Sequence, residues 1–211
     1  MKINNLKINK ASLALCTLGV TSALSLTGCG NKQIFDFNKS FNVAVEPNGD
    51  SISVVPIYGY ADYTGAQIQF RTKDGLVVLS GTQDLGLLNV TNQESLDNYT
   101  NALKDENDEI NYYSTEIQYE DNFNKTIIDL QYTFNKAIIL TDGTVVLTDI
   151  TTWRDYEEDD KIQIKLADGT CLLKEIEDVK LIDDTYATEN AAYNYALTLA
   201  GSTEKVKQLK K

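Results

Sequence analysis

The 211-residue chain contains no histidine. That excludes every mechanism that needs an imidazole base, including Ser-His-Asp and Cys-His arrangements, and every His-ligated metal site. What remains with chemical potential is a unit that occurs twice. Tyr60-Ala61-Asp62-Tyr63 and Trp153-Arg154-Asp155-Tyr156 each place an aromatic ring, a carboxylate and a tyrosine within four residues. Rings beside a carboxylate suit a peptide groove or a sugar-stacking platform, in which the rings supply area and the carboxylate supplies direction. The plainer reading is the favoured one: the rings plug the mouth of a small barrel and the aspartate caps a turn. Of the 31 Asp and Glu, any two at the right separation would act on a glycoside, but no pair stands out. A glycine-rich phosphate loop, a Cys-x-x-Cys pair and a Gly-x-Ser-x-Gly elbow are all missing. The acidic run at 105–109 lacks the alternating oxygen ligands and the glycine of a calcium loop. No catalytic residue, metal ligand or cofactor is therefore expected.

Charge narrows the partners. Nineteen Lys and Arg against 31 Asp and Glu give a formal net charge of −12. A surface this acidic repels phosphate backbones, so nucleic acid is not an expected partner. Three lysines fall within the first ten residues, and no acid precedes Asp36.

The beginning of the chain carries the clearest address. A basic stretch over 1–10 is followed by an apolar stretch over 11–25, too short and too rich in Ser and Thr to span a bilayer comfortably. Leu26-Thr27-Gly28-Cys29 then follows. This order resembles a bacterial lipoprotein signal peptide that ends in a lipobox. The resemblance implies cleavage after residue 28, diacylglycerol on Cys29, and a protein held on the extracytoplasmic face of the cell membrane. Two acyl chains anchor stably where one holds only marginally. With Cys16 removed and Cys29 lipidated, Cys171 is left alone, unable to form an intrachain disulfide. Without a histidine to activate it, it reads as a small buried hydrophobe.

The elements that must position the two aromatic units repeat as well. Residues 34–89 align with 127–183 at a shift of 93 or 94. Ile34 meets Ile127, Phe41-Asn42 meets Phe134-Asn135, Asp62-Tyr63 meets Asp155-Tyr156, and Ile68-Gln69 meets Ile162-Gln163. Each copy holds two Asn/Asp-Gly dipeptides between β-branched runs: Asn48-Gly49 and Asp74-Gly75, then Asp142-Gly143 and Asp168-Gly169. Such dipeptides suit two-residue type I′ hairpins. Two hairpins and a short closing strand, 85–88 or 179–182, predict about five strands per copy. The expected fold is mainly β: two tandem copies of a small five-stranded SH3-like barrel, with a connecting helix and loop and a C-terminal helix. Closure would hide the strand edges of so small a unit.

The expected boundaries are a signal peptide over 1–28, a first barrel over 29–90, an acidic linker with a short helix over 91–125, a second barrel over 126–184, and a C-terminal helix with a basic tail over 185–211. In the linker, Thr91 and Glu94 have capping-box spacing, which predicts a helix up to about Lys104 and a solvated loop over 105–109. The C-terminal helix is expected over 185–200 with Gly201 as its cap, and the lysine-rich tail as a mobile segment against anionic headgroups.

The stretch from Asn135, with Ala-Ile-Ile, Asp-Gly-Thr and Trp-Arg-Asp-Tyr-Glu-Glu-Asp-Asp-Lys-Ile-Gln-Ile, is similar to a segment of surface lipoproteins from low-GC Gram-positive bacteria. That resemblance covers about a quarter of the chain and brings no activity with it. The expectation is a lipid-anchored surface protein, a non-catalytic binding or interaction module. Its partners would be the membrane, through the lipid, and a cell-envelope protein or glycan. The candidate ligand-binding residues are Tyr60, Asp62, Tyr63, Trp153, Asp155 and Tyr156. The alternatives are a carboxylate-dependent envelope hydrolase and an accessory lipoprotein of a membrane complex.

Overall fold

The computed structural model describes residues 41–209 except 64–66, 84, 107, 118, 120–129, 142 and 157–158. The leader and Cys29, Asp84, Asp142 and part of the 157–160 acidic run therefore lie outside the described residues. The chain is mainly β. Its elements are β1 (Val43–Asn48), β2 (Ser51–Asp62), β3 (Gln67–Thr72), β4 (Val77–Gly81), β5 (Gly86–Leu88), α1 (Gln93–Leu103) and β6 (Glu109–Tyr112), then β7 (Lys136–Thr141), β8 (Thr144–Tyr156), β9 (Lys161–Leu166), β10 (Cys171–Glu175), β11 (Val179–Asp183), α2 (Ala191–Ala200) and β12 (Val206–Leu209). No helix among the described residues is long and apolar enough to cross a membrane.

The strands do not close into two separate barrels. They lie in one sheet, in the order β10-β9-β8-β7-β11-β4-β3-β2-β1-β5, with β6 added to β2 and β12 to β8. The join is made by β11 and β4, antiparallel, with Leu181 opposite Leu79 and Ile182 opposite Val78. On either side of that join the pairings match at the same shift. Val43 pairs with Pro56 and Leu88, and Lys136 pairs with Asp149 and Ile182.

Two long strands organise the sheet. The first half of β2 lies between β1 and β6, and its second half pairs with β3. β8 does the same with β7 and β12, then β9. Each changes neighbours at a register shift, Ile57/Gly59 in β2 and Ile150/Thr152 in β8. A bulge bends a strand and increases its twist, which lets one strand serve two directions of the sheet. Pro56, which has no N–H to give a ladder, stands immediately before the first bulge. An asparagine beside each bulge ties strand to turn. Asn42 Nδ2 donates to the Val90 carbonyl (2.7 Å) and its Oδ1 accepts from Val90 N (2.9 Å). Asn135 holds Asp184 from the equivalent place: its Nδ2 donates to the Asp184 carboxylate (2.8 Å) and its Oδ1 accepts from Asp184 N (3.3 Å).

α2 is apolar nearly all round, as a buried helix must be. Ala191, Ala192, Tyr195, Ala196, Leu199 and Ala200 are buried with Val55, Phe70 and Val78 on one side and Ile138, Val145 and Ile182 on the other. The main core is thus shared by both halves of the chain. A second cluster gathers Ile150, Ile162, Ile164 and Leu181 with Val77 and Leu79, and a third lies under α1 around Leu96.

Several expectations change. The N-cap of α1 is Asn92, whose side chain accepts from Ser95 N at 2.8 Å, in place of the Thr91–Glu94 box. Residue 109 opens β6 instead of ending a loop, because Ile110 pairs with Ile52 and packs in the third cluster. α2 begins at Ala191 and not near 185, with Asn190 left-handed at its start; Gly201 caps its end, as expected. The tail is a strand along β8, from Val206 opposite Val145 to Leu209 opposite Thr148. Cys171 is exposed, because β10 is an edge strand. The first hairpin loop is Gly49-Asp50 between paired Asn48 and Ser51. Gly49 has positive φ and Asp50 does not, which is the type II′ pattern and not I′. Counted from the paired strands, Gly49 therefore falls on residue 142 and not on Gly143, whereas Gly75 and Gly169 coincide, with φ of 92° and 91°.

Candidate functional site

Tyr60, Asp62, Trp153, Asp155 and Tyr156 do not sit at a turn, where a capping aspartate would place them. They lie instead in the second halves of β2 and β8, where they continue the ladder to β3 and β9. Alternation along a strand sends neighbours to opposite faces, so each unit divides. Tyr60 is 7% exposed and packs edge-on against Phe41, with centroids 5.0 Å apart, in the main core. Burial first, and Asp62 second, raise its phenol pKa. Asp62 is exposed. In β8, Trp153 is half-buried and meets Phe134 edge-on at 5.6 Å, the counterpart of the Phe41–Tyr60 contact. Tyr156 donates its hydroxyl to Gln163 Oε1 (3.0 Å) and carries the Arg154 guanidinium 4.9 Å above its ring. Asp155 is half-buried opposite Ile162.

The structure brings together Tyr63 and Trp153, one from each unit, with centroids 6.4 Å apart. Tyr132, 64% exposed, extends the row at 5.7 Å from Tyr63. Tyr63 and Trp153 both pack on the second cluster, so the inner faces of the row are held by core and the outer end meets water. Tyr60 belongs to a different cluster, and the six residues do not form one groove.

A polar constellation that the sequence did not reveal sits where the two halves meet. Lys180 and Glu46, 7% and 2% exposed, form an ion pair through Nζ and Oε2. Lys180 Nζ also donates to Ser80 Oγ (2.7 Å), and the Tyr195 hydroxyl donates to Glu46 Oε1. Four elements, β1, β4, β11 and α2, each supply one member. Glu46 and Lys180 line a 430 Å³ cleft between the β1–β2 and β7–β8 turns, together with Asn48, Gly49, Gly143 and Lys174. Burial, with the Glu46 charge and its hydrogen bond, pushes the Tyr195 phenol well above its ordinary pKa and keeps it a donor. Ser80 already donates to the Gly81 carbonyl (3.1 Å) and is fully buried. With the amine committed to a carboxylate and the hydroxyl enclosed, the four side chains act as a clamp. Its signal in the sequence is faint: one lysine between Val179 and Leu181, 134 residues from its acid.

A second network holds the turn of the first β3–β4 hairpin. Tyr113 and Thr72 both donate to the Asp74 carboxylate, and Thr188 N donates to the Asp74 carbonyl (2.9 Å). Burial and the bond to Asp74 raise the Tyr113 phenol well above its usual range. Among the described residues, no group of three or more Cys, Asp and Glu is arranged to hold a metal ion.

Comparison with protein-family models, with curated proteins and with solved structures finds no match to this chain.

Proposed function

We propose that this chain is a lipid-anchored protein of the extracytoplasmic membrane face, and that its β-sheet unit is a non-catalytic module that binds a glycan of the cell envelope. The observation that carries the binding role is the Tyr132–Tyr63–Trp153 row, backed by core on one side and open to water at Tyr132. Tilted rings of this kind offer an apolar face to a sugar. The buried charged groups Glu46 and Lys180 satisfy each other, which supports a structural role for them and favours binding over hydrolysis. The anchor rests on the lipobox order ending in Cys29.

The finer architecture belongs to the same reading. We infer that the two halves are copies of one unit, five strands in SH3-like order followed by a helix and a parallel sixth strand. Support comes from the matched ladders, the matched bulges, the paired asparagine brackets, and β6 and β12 in equivalent places.

The sole tryptophan makes the binding role directly measurable. Soluble peptidoglycan fragments titrated into the protein should change Trp153 fluorescence saturably. Trp153→Ala should abolish retention on insoluble peptidoglycan. Because the ring is only half-buried, the substitution should cost about 2 kcal/mol, less than the ~3–5 expected of a fully buried tryptophan. Unchanged fluorescence and unaltered retention would remove the glycan reading.

A further inference from the structure

The strand path has two ends. Among the described residues, neither the outer edge of β10 nor that of β5 has a strand partner. Unpaired edges are templates for another strand, and proteins usually blunt them with charge. β10 carries Lys174 and Glu175 at one end, but Cys171-Leu172-Leu173 has no charge, and Leu173 is 58% exposed. At the 94-residue shift Leu173 corresponds to Leu79, which is 1% exposed because β11 and the rest of the second half cover it. By the same shift β10 corresponds to β4, and β5 corresponds to β11. The joint inside the chain, β11 on β4, therefore has an unsatisfied counterpart at each end of the molecule.

We propose that a second copy of this chain adds its β5 to β10, in the register that β11 uses on β4. This rests on the reading of the halves as copies of one unit. Leu87 of the incoming chain then lies opposite Leu173, Leu88 opposite Leu172, and Asn89 opposite Cys171, as Leu181, Ile182 and Asp183 lie opposite Leu79, Val78 and Val77. The contact is heterologous: each chain offers one β10 edge and one β5 edge, so association is head-to-tail and open-ended. It is also weaker than the internal joint. Gly86 stands where Lys180 does and Lys174 where Ser80 does, so the buried clamp has no equivalent between chains. Three paired residues bury well below the area of a permanent interface. Anchored in one plane, the chains gain in effective concentration what the contact lacks in strength.

Sedimentation equilibrium of the purified chain tests this. The weight-average mass should rise with concentration past twice the monomer and show no plateau. Leu173→Glu, a change at an exposed position that leaves the core intact, should weaken association at least tenfold. Asn89→Cys places a thiol opposite Cys171, and a short bismaleimide should then give a ladder of dimers, trimers and tetramers. Mixed isotopic labelling should show that the 89–171 cross-links join different chains, and Asn89→Cys/Cys171→Ser should give none of them. A wild-type chain that stays monomeric into the millimolar range, or a mass that stops at the dimer, overturns the proposal. So does an association indifferent to Leu173→Glu. None of these results touches the duplication, which rests on ladders and bulges within one chain.

Discussion

Replacing Lys180 with methionine should be among the most damaging single changes this fold can suffer. The lysine side chain is 9% exposed and its partner Glu46 is 3% exposed, so neither charge has water in reserve. Methionine fills the stem of the lysine but leaves the Glu46 carboxylate buried with only the Tyr195 hydroxyl, and Ser80 Oγ loses a donor. Removing one member of a buried pair costs about 3–5 kcal/mol, most of it the penalty of the charge left behind. For a chain of this size about 1 kcal/mol shifts Tm by roughly 2–4 °C, so a fall of roughly 6–20 °C is expected. Urea unfolding followed by circular dichroism gives the free energy directly. The diagnostic comparison is the double variant Glu46→Gln/Lys180→Met. Glutamine keeps an acceptor for Tyr195 while removing the charge, so the double variant should recover to within about 2 kcal/mol of wild type, with a coupling energy of the size seen for residues in contact. If Lys180→Met alone lies within about 1 kcal/mol of wild type, or if the two single effects simply add, the clamp is not the desolvated joint described above.

Other consequences follow from geometry already given. A Cβ on Gly75 would sit 2.7 Å from the Tyr186 carbonyl oxygen at a φ of 92°, whereas one on Gly169 meets nothing within 4 Å at nearly the same φ. Gly169→Ala should therefore cost about 1–2 kcal/mol of backbone strain. Gly75→Ala should cost about 1–3 kcal/mol more from the clash, and equal losses in urea unfolding would contradict the packing of the first β3–β4 turn on residues 186–187. Tyr195, Tyr113 and Tyr60 all have phenol pKa values raised above the ordinary 10.0. A raised folded-state value means that the unfolded chain ionises first. Stability from these groups is complete below pH 10 and is lost as pH rises beyond it. Lys136 acts in the same direction: burial opposes its charge, but Asp149 at 2.8 Å and Asp184 at 3.5 Å prevail and raise its pKa above 10.5. Tyrosinate absorbance should show the buried Tyr60 and Tyr195 and the half-buried Tyr113 ionising only together with global unfolding; early, independent titration would refute this packing.

How much of this was legible in the sequence depends on the range of the interaction. The hairpins were, because alternation such as Ile162-Gln163-Ile164 and a glycine at a turn are local properties. So was the end of α2, where Gly201 takes a φ of 73° that other residues resist. β6 and β12 were not. Their short polar-rich segments become strands only because β2 and β8 offer a free side, and nothing in 109–112 or 206–209 announces a partner more than fifty residues away. Closure depends on long-range pairing for a related reason. A five-strand unit was expected to hide its own edges, yet β4 is covered by the second half, through β11, and not by its own barrel. The aromatic units were found but their grouping was not, since Tyr63 meets Trp153 only after the two halves have joined. Glu46, Ser80, Lys180 and Tyr195 come from four elements and carry no common motif.

The account stands most directly on where the chain is held. Cells expressing the wild type and Cys29→Ser, fed an alkyne-bearing palmitate, should be fractionated and washed in alkaline carbonate. The wild type should carry the label and stay with the membrane, and Cys29→Ser should carry none and appear in the soluble fraction. A Cys29→Ser protein that remains in the washed membrane, or a wild type that takes up no label, would contradict the lipid anchor and with it the surface role proposed for the sheet.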